Sequence, residues 1–314
     1  MFWHATVKTV ITEEKLVKLP LTHRIAFLYS WCGFKGSFYL WKTAKSIQET
    51  PKGKIRLPNG IVVSHSENDW TARTIYEGTY ERELLKFLTN LLFRDEIYVD
   101  VGANIGSTIQ AVMRSNPKIP VYAFEPSKNC LPLLKENLRE ISHISIQECA
   151  VSDKTGRVAF FDDENKKHTG LSNSRLVSIN EKQTKFVPCV SLDDFFEATK
   201  LNFIVKIDTE GHEPKVVSGM EKLIVKEAIS LVIMEYTPQW MSPNFVLDLN
   251  SKIWGRDGSN LYLIESKGWF RAKPRLTPIS PETLREIDTQ VNIVLSKNIS
   301  RFLRSNRLGI NVEH

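Results

Sequence analysis

Chemistry is most concentrated in Lys206-Ile207-Asp208-Thr209-Glu210-Gly211-His212-Glu213-Pro214, where an apolar run, Phe203 to Ile207, gives way to a helix with Pro214 in its first turn. Three acids and a histidine within six positions can move protons or hold a cation. Acids are favoured at a positive helix end, but this cluster exceeds what capping requires and reads as functional. His212, with an ordinary pKa of about 6.5, would be ready to take a proton from a hydroxyl near neutral pH. Asp208 is its rival, as base or as the group that orients an acceptor. A hard divalent cation held by Asp208, Glu210 and Glu235 would instead lower the acceptor pKa directly. The sequence leaves these three routes open.

A second concentration surrounds Tyr98-Val99-Asp100-Val101-Gly102-Ala103-Asn104-Ile105-Gly106, where a buried strand runs into a glycine turn and then a helix. Gly102 permits a tight bend, and Gly106 lets the helix approach the sheet or a ligand closely. The next strand ends in Glu125, whose carboxylate can accept both hydroxyls of a ribose. A nucleoside laid across this edge would meet both turns. A nicotinamide dinucleotide wants glycine where Asn104 stands, and Asp100 would repel its pyrophosphate. S-adenosylmethionine, with a sulfonium and an ammonium, suits Asp100 better. The YxxxK pair of short-chain dehydrogenases is also absent.

These residues need a scaffold, and the pattern supplies one. Strands are predicted at 97–101, 119–124, 144–148, 203–207 and 229–234, separated by helices at 105–114, 127–141, 192–199 and 214–226. A helix at 83–93 precedes them. Extra strands are expected at 157–161 and 185–190, with a long polar loop over 162–185. The end of the chain reads as a helix at 245–254, a strand at 261–264, a helix at 281–287 and a strand at 291–295. Such alternation predicts a doubly wound, mostly parallel sheet with right-handed crossovers, in which one of the last two strands is antiparallel.

The chain has 314 residues, 42% hydrophobic and 25% charged, which excludes a disordered chain or a small disulfide scaffold. Four scattered cysteines without a CxxC pair fit a reducing compartment, so a cytoplasmic location is expected. Charge divides the chain unevenly. Residues 1–60 carry ten Lys or Arg against three Glu, whereas the whole molecule is only +6. Basic residues interleaved with Phe27, Tyr29, Trp31, Phe34, Phe38, Tyr39 and Trp41 can sit on an anionic membrane surface or along a nucleic acid. The favoured reading is an accessory helical layer whose aromatics pack on the main domain and whose lysines face water, because no single helical face gathers the lysines. A location peripheral to a membrane is the alternative.

Taken together, YVDVGANIGSTI (98–109), AFEPSKNCLPLLKENL (123–138), CAVSDKTG (149–156), VPCVSLDDFF (187–196), VKIDTEGHEPKVVSGM (205–220) and VIMEYTP (232–238) resemble the FkbM-type S-adenosylmethionine-dependent methyltransferases. The resemblance implies a class I methyltransferase (Rossmann-like) α/β fold with seven strands. It also implies O-methylation of a sugar, glycan or related metabolite. By motif, Asp100, Gly102, Ala103, Asn104 and Gly106 would form the methionine side of the cofactor site, and Glu125 would bind ribose. Ser152 and Asp153 would lie near the adenine, and Tyr80 with Glu81 would close over the cofactor. Asp208, His212 and Glu210 would be catalytic. Residues 1–65 fall outside the pattern, as an extension before a methyltransferase domain at 66–314. Two other functions remain for comparison: a basic RNA- or membrane-binding module on the same fold, and a nicotinamide-dependent oxidoreductase.

Overall fold

The computed structural model describes residues 16–65, 69–162, 174–176, 184–197, 201–254, 260–267 and 273–303. Helices α1 (Leu21–Trp31) and α2 (Ser37–Ile47) come first, then a hairpin of β1 (Gly53–Arg56) and β2 (Val62–His65), and helices α3 (Trp70–Glu77) and α4 (Arg82–Leu88). The alternating part opens with β3 (Glu96–Val101), α5 (Ser107–Ser115), β4 (Val121–Phe124), α6 (Leu131–Leu138) and β5 (Ile144–Gln147). A small sheet follows, made of β6 (Ala150–Val151), β7 (Gly156–Asp162), β8 (Ser174–Leu176) and β9 (Thr184–Val190). The chain continues through α7 (Leu192–Phe195), β10 (Asn202–Ile207), α8 (Glu213–Ser218), α9 (Glu221–Val225), β11 (Ile229–Tyr236) and α10 (Pro243–Trp254). It ends with β12 (Leu261–Lys267), β13 (Lys273–Pro278), α11 (Pro281–Glu286) and β14 (Val291–Leu295). The single helix predicted at 214–226 is thus two short ones, and most of the predicted 162–185 loop lies outside the described residues.

The main sheet has the order β13-β12-β14-β11-β10-β3-β4-β5. From β11 to β5 every pair is parallel, while β14 enters antiparallel beside β11 and pairs antiparallel with β12. These seven strands form the doubly wound, mostly parallel sheet expected from the sequence. β13 adds an eighth as an edge hairpin on β12. Its sequence, KPRLTP, reads as loop because it holds two prolines, which an edge strand tolerates where a central one does not.

Side chains alternate across the sheet. Ile97, Val99 and Val101 enter one apolar core with Val205 and Ile207, and Tyr98, Ile204, Leu231 and Ile233 enter the other. That second core also takes in Ala26, Phe27, Trp41, Ala44, Ile55 and Leu57, so the N-terminal layer shares one hydrophobic interior with the sheet. Polar ties reinforce the packing. His23 Nδ1 lies 2.5 Å from the Tyr76 hydroxyl, Trp41 Nε1 donates to Ser30 Oγ at 2.9 Å, and Gln110 bonds both backbone groups of Val62. Of the aromatics expected to pack on the main domain, Phe27 and Trp41 are buried and Trp31 and Phe34 partly so, whereas Tyr29, Phe38 and Tyr39 are exposed, because they lie on the helix sides turned away from the sheet. Among the described residues, no helix is long and apolar enough to cross a membrane.

Candidate functional site

The sheet changes direction between β3 and β10, because β4 and β5 lie on one side of β3 and β10 and β11 on the other. At the carboxyl ends of these strands lies a cavity of about 420 Å³, where ligands bind in open α/β sheets. Toward β4 and β6 its wall is apolar, with Phe124, Pro126, Cys130, Ala150, Val151 and Phe160. Toward β10 and β11 it is acidic, with Glu81, Asp208, Glu210 and Glu235.

Two turns are locked together beside the apolar wall. The Gly102 and Ala103 N–H groups both donate to the Phe124 carbonyl, at 3.0 and 3.1 Å. Gly102 has φ +78°, and a Cβ there would stand 1.8 Å from the Asp208 carbonyl oxygen, so only glycine lets the ends of β3 and β10 approach this closely. Glu125 accepts from Asn104 N–H through one oxygen and from Ser127 N–H through the other, each at 2.8 Å. The carboxylate is therefore oriented before any ligand arrives, on the wall of the cavity. Asn104 itself has φ +49° and presents a buried Oδ1 with no hydrogen-bond partner in the protein. Ala103 and Gly106 do not line the cavity; Gly106 starts α5 and brings it against Leu134 and Leu138 of α6.

The acidic wall is more crowded than the sequence implied. Carboxylate oxygens of Glu81, Asp208 and Glu235 lie within 4.8 Å of one another. Glu210 lines the same cavity but is not part of this trio, so Glu81 takes the place expected for it beside Asp208 and Glu235. Burial, followed by repulsion from Asp208, pushes the Glu81 carboxyl up to about 8 and that of Glu235 to about 10. Glu81 Oε2 and Glu235 Oε2 are buried with no hydrogen-bond partner, while Glu235 Oε1 accepts from Gln290. Tyr80 also lines the cavity, and burial among these acids raises its phenol. Glu213, which does not line the cavity, shapes the loop by accepting from the Thr209 N–H and hydroxyl and the Gly211 N–H. Three cavity residues, Glu81, Asn104 and Glu210, hold left-handed backbone that side chains disfavour, a conformation that persists only where surrounding structure enforces it.

Four further expected site residues, Asp100, Ser152, Asp153 and His212, are likewise absent from the cavity wall. Asp100 is fully buried beneath the turn: it pairs with Lys206 Nζ at 3.2 Å and accepts from the Thr108 hydroxyl at 2.5 Å. The reason is register, since Lys206 stands opposite Asp100 on neighbouring strands and both point into the sheet face, not past its edge. Lys206 also reaches Asp208 Oδ2 at 3.2 Å and donates to the Gly102 carbonyl at 2.9 Å. Burial alone would discharge this lysine, but Asp100 and Asp208 hold its pKa above the ordinary value. His212 is absent from the cavity wall: its Nε2 lies 2.9 Å from Ser152 Oγ, and Lys215 pairs with Asp153 at 3.0 Å. Ser152, Asp153 and His212 thus bind the end of β6 to the start of α8, and none of the three lines the cavity.

Burial lowers His212 to about 4, so near neutral pH it is an uncharged hydrogen-bonding group. Its folded-state pKa lies below the ordinary histidine value, so its contribution to stability is complete above about pH 6.5 and is lost as pH falls toward 4. His212→Gln is expected to flatten the fall in urea midpoint across that window and to leave turnover within about tenfold of the parent. A loss of turnover as large as that expected of a catalytic base would restore His212 to the reaction. Trp70, Thr74, Thr79, Phe160 and Gln290 complete the cavity wall, and no local motif marked them.

Residues 100–254 match the family described as "Methyltransferase FkbM domain". The 2-O-methyltransferase NoeI of Sinorhizobium fredii is 26% identical over 159 residues, covering 46% of this chain and 65% of NoeI. The 31-O-demethyl-FK506 methyltransferase FkbM of Streptomyces tacrolimicus is 34% identical over 113 residues, covering 35% of this chain and 43% of that protein. The hexuronic acid methyltransferase AglP of Haloferax volcanii is 27% identical over 178 residues, covering 56% and 69%. The chain therefore spans less than two thirds of the length of NoeI and of FkbM.

Proposed function

We propose that the protein, whose residues 100–254 match the methyltransferase FkbM domain, is an S-adenosylmethionine-dependent O-methyltransferase whose acceptor is a hydroxyl of a sugar, glycan or related small metabolite. The observation that carries this reading is the union of a preset Glu125 with an acidic wall holding two unsatisfied carboxylate oxygens. Glu125 would take the ribose hydroxyls, and Phe124, Pro126, Ala150 and Val151 would enclose the adenine. The unsatisfied oxygens of Glu81, Glu235 and Asn104 suit the ammonium and sulfonium of the donor. When bound, that donor supplies an electrophilic methyl group. Asp208 is then the residue placed to accept the acceptor proton, and Glu210 lies beside it to orient the hydroxyl. The relatives' names, a 2-O-methyltransferase and a 31-O-demethyl-FK506 methyltransferase among them, support an oxygen acceptor.

The same trio of Glu81, Asp208 and Glu235 has the oxygen chemistry for a hard divalent cation. Such a cation would compete with the donor's own positive charges for Glu81 and Glu235, and turnover that survives chelation removes this second reading. Calorimetry tests the donor site directly. A cation favours the ionised carboxylates, so donor binding is expected to release protons near neutral pH from Glu81, raised to about 8, and Glu235, raised to about 10. Titrations in two buffers of different ionisation enthalpy measure the release, and Glu81→Gln should diminish it. No heat with S-adenosylmethionine or its demethylated product would end the proposal, and NADH binding in its place would point to the oxidoreductase.

A further inference from the structure

The α1–α2 layer has two apolar sides. One side buries His23, Ala26, Phe27, Trp41 and Ala44 against the rest of the molecule. The other carries Leu21, Ile25, Leu28 and Tyr29 along a single stripe of α1, each 44–72% exposed, with Phe38 and Tyr39 at the start of α2 both 71% exposed. Scattered exposed apolar residues are ordinary, but nine of the thirteen large ones exposed among the described residues fall between Leu16 and Ile47. Charge marks the same segment. From Lys15 to Gln48 the sequence holds six Lys or Arg and no acid, and Lys18, Arg24, Lys35 and Lys42 are exposed.

We propose that this face docks on an anionic phospholipid bilayer. Aliphatic and aromatic side chains would enter the boundary between headgroups and acyl chains, while the surrounding basic residues meet the lipid phosphates. Lysines absent from a single helical stripe argue against a purely electrostatic strip, and the structure shows instead an exposed apolar stripe on a segment whose Lys18, Arg24, Lys35 and Lys42 are also exposed. The exposed aliphatics Leu21, Ile25 and Leu28 favour lipid over nucleic acid, whose contacts call for aromatic stacking and phosphate-spaced charge. The layer also leans on the cavity wall, since Phe27 packs on Gly78 and Trp41 Nε1 donates to the Glu77 carbonyl, a few residues before Tyr80 and Glu81. Docking would thus place the lipid surface against the element that carries part of the site.

The test is sedimentation of the full chain with sucrose-loaded vesicles of phosphatidylcholine containing about 30% phosphatidylglycerol, an anionic surface. The protein is expected to sediment with these vesicles, less so as salt rises, and to stay in solution with phosphatidylcholine alone. The variant Leu21→Ser/Phe38→Ser/Tyr39→Ser is expected to lose at least about tenfold in partition. Lys18→Gln/Arg24→Gln/Lys42→Gln should lose a similar amount. Unchanged donor calorimetry in both variants shows that the fold is intact. Failure of the parent chain to sediment overturns the proposal, as does undiminished sedimentation of both variants. A concentration-dependent dimer that the apolar variant abolishes, or RNA binding without vesicle binding, also overturns it by giving the face another occupant.

Discussion

Asp208→Asn is expected to lower kcat/KM for methyl transfer by about 10²- to 10⁴-fold, the range for removing a general base, while donor affinity stays close to that of the parent. Asparagine keeps the shape of the side chain and an oxygen for Lys206 Nζ, which lies 3.2 Å from Asp208 Oδ2, so the loop has no reason to rearrange. What disappears is a basic oxygen open to the cavity at the end of β10. Single-turnover transfer with labelled donor measures the chemical step, and calorimetry measures donor binding on the same preparation. Turnover within tenfold of the parent would remove Asp208 from proton transfer and leave Glu210 as the remaining acid at the acceptor side. The contrast with His212→Gln is informative, because the two residues are four apart in sequence and the structure gives them different surroundings.

Lys206→Met should be the most destabilising single change near the site, by about 3–5 kcal/mol, the usual result of removing one partner of a buried ion pair. The ammonium is almost fully buried and serves Asp100, Asp208 and the Gly102 carbonyl together. Its loss strands Asp100, which is fully buried and already raised by burial. In the variant that carboxyl must hold its proton to stay folded, so the deficit is largest near neutral pH and shrinks as pH falls toward the ordinary carboxylate range. Urea midpoints across that range measure the effect. Asp100→Asn in the Lys206→Met background is expected to recover part of the loss, and full additivity of the two changes would show that the pair is not coupled.

Much of this architecture was legible from local pattern. Ile97–Val101 and Val291–Leu295 announce strands because β-branched runs between turn residues have few other stable uses. Gly102 announces a turn, and the left-handed backbone it adopts is one that other residues disfavour. Glu125 announces a ligand because an acid directly after an apolar strand sits at the carboxyl edge of the sheet. Where expectation and geometry differ, the deciding fact is a partner distant in sequence. Asp100 was assigned to the methionine group by its place in the motif, yet pairing with Lys206, 106 positions later, turns it into the interior. His212 belongs to the acidic cluster in sequence and to Ser152 in space.

The amino-acid sequence alone therefore determined the alternation of parallel strands and helices in the main sheet, the two turns at its edge and the acid-rich character of the corner after β10, because each depends on residues a few positions apart. Which acids share that corner was decided only by tertiary structure. Glu81 arrives from the start of α4 and Glu235 from the end of β11, and their proximity to Asp208 is a consequence of strand register and helix packing that local spacing does not encode.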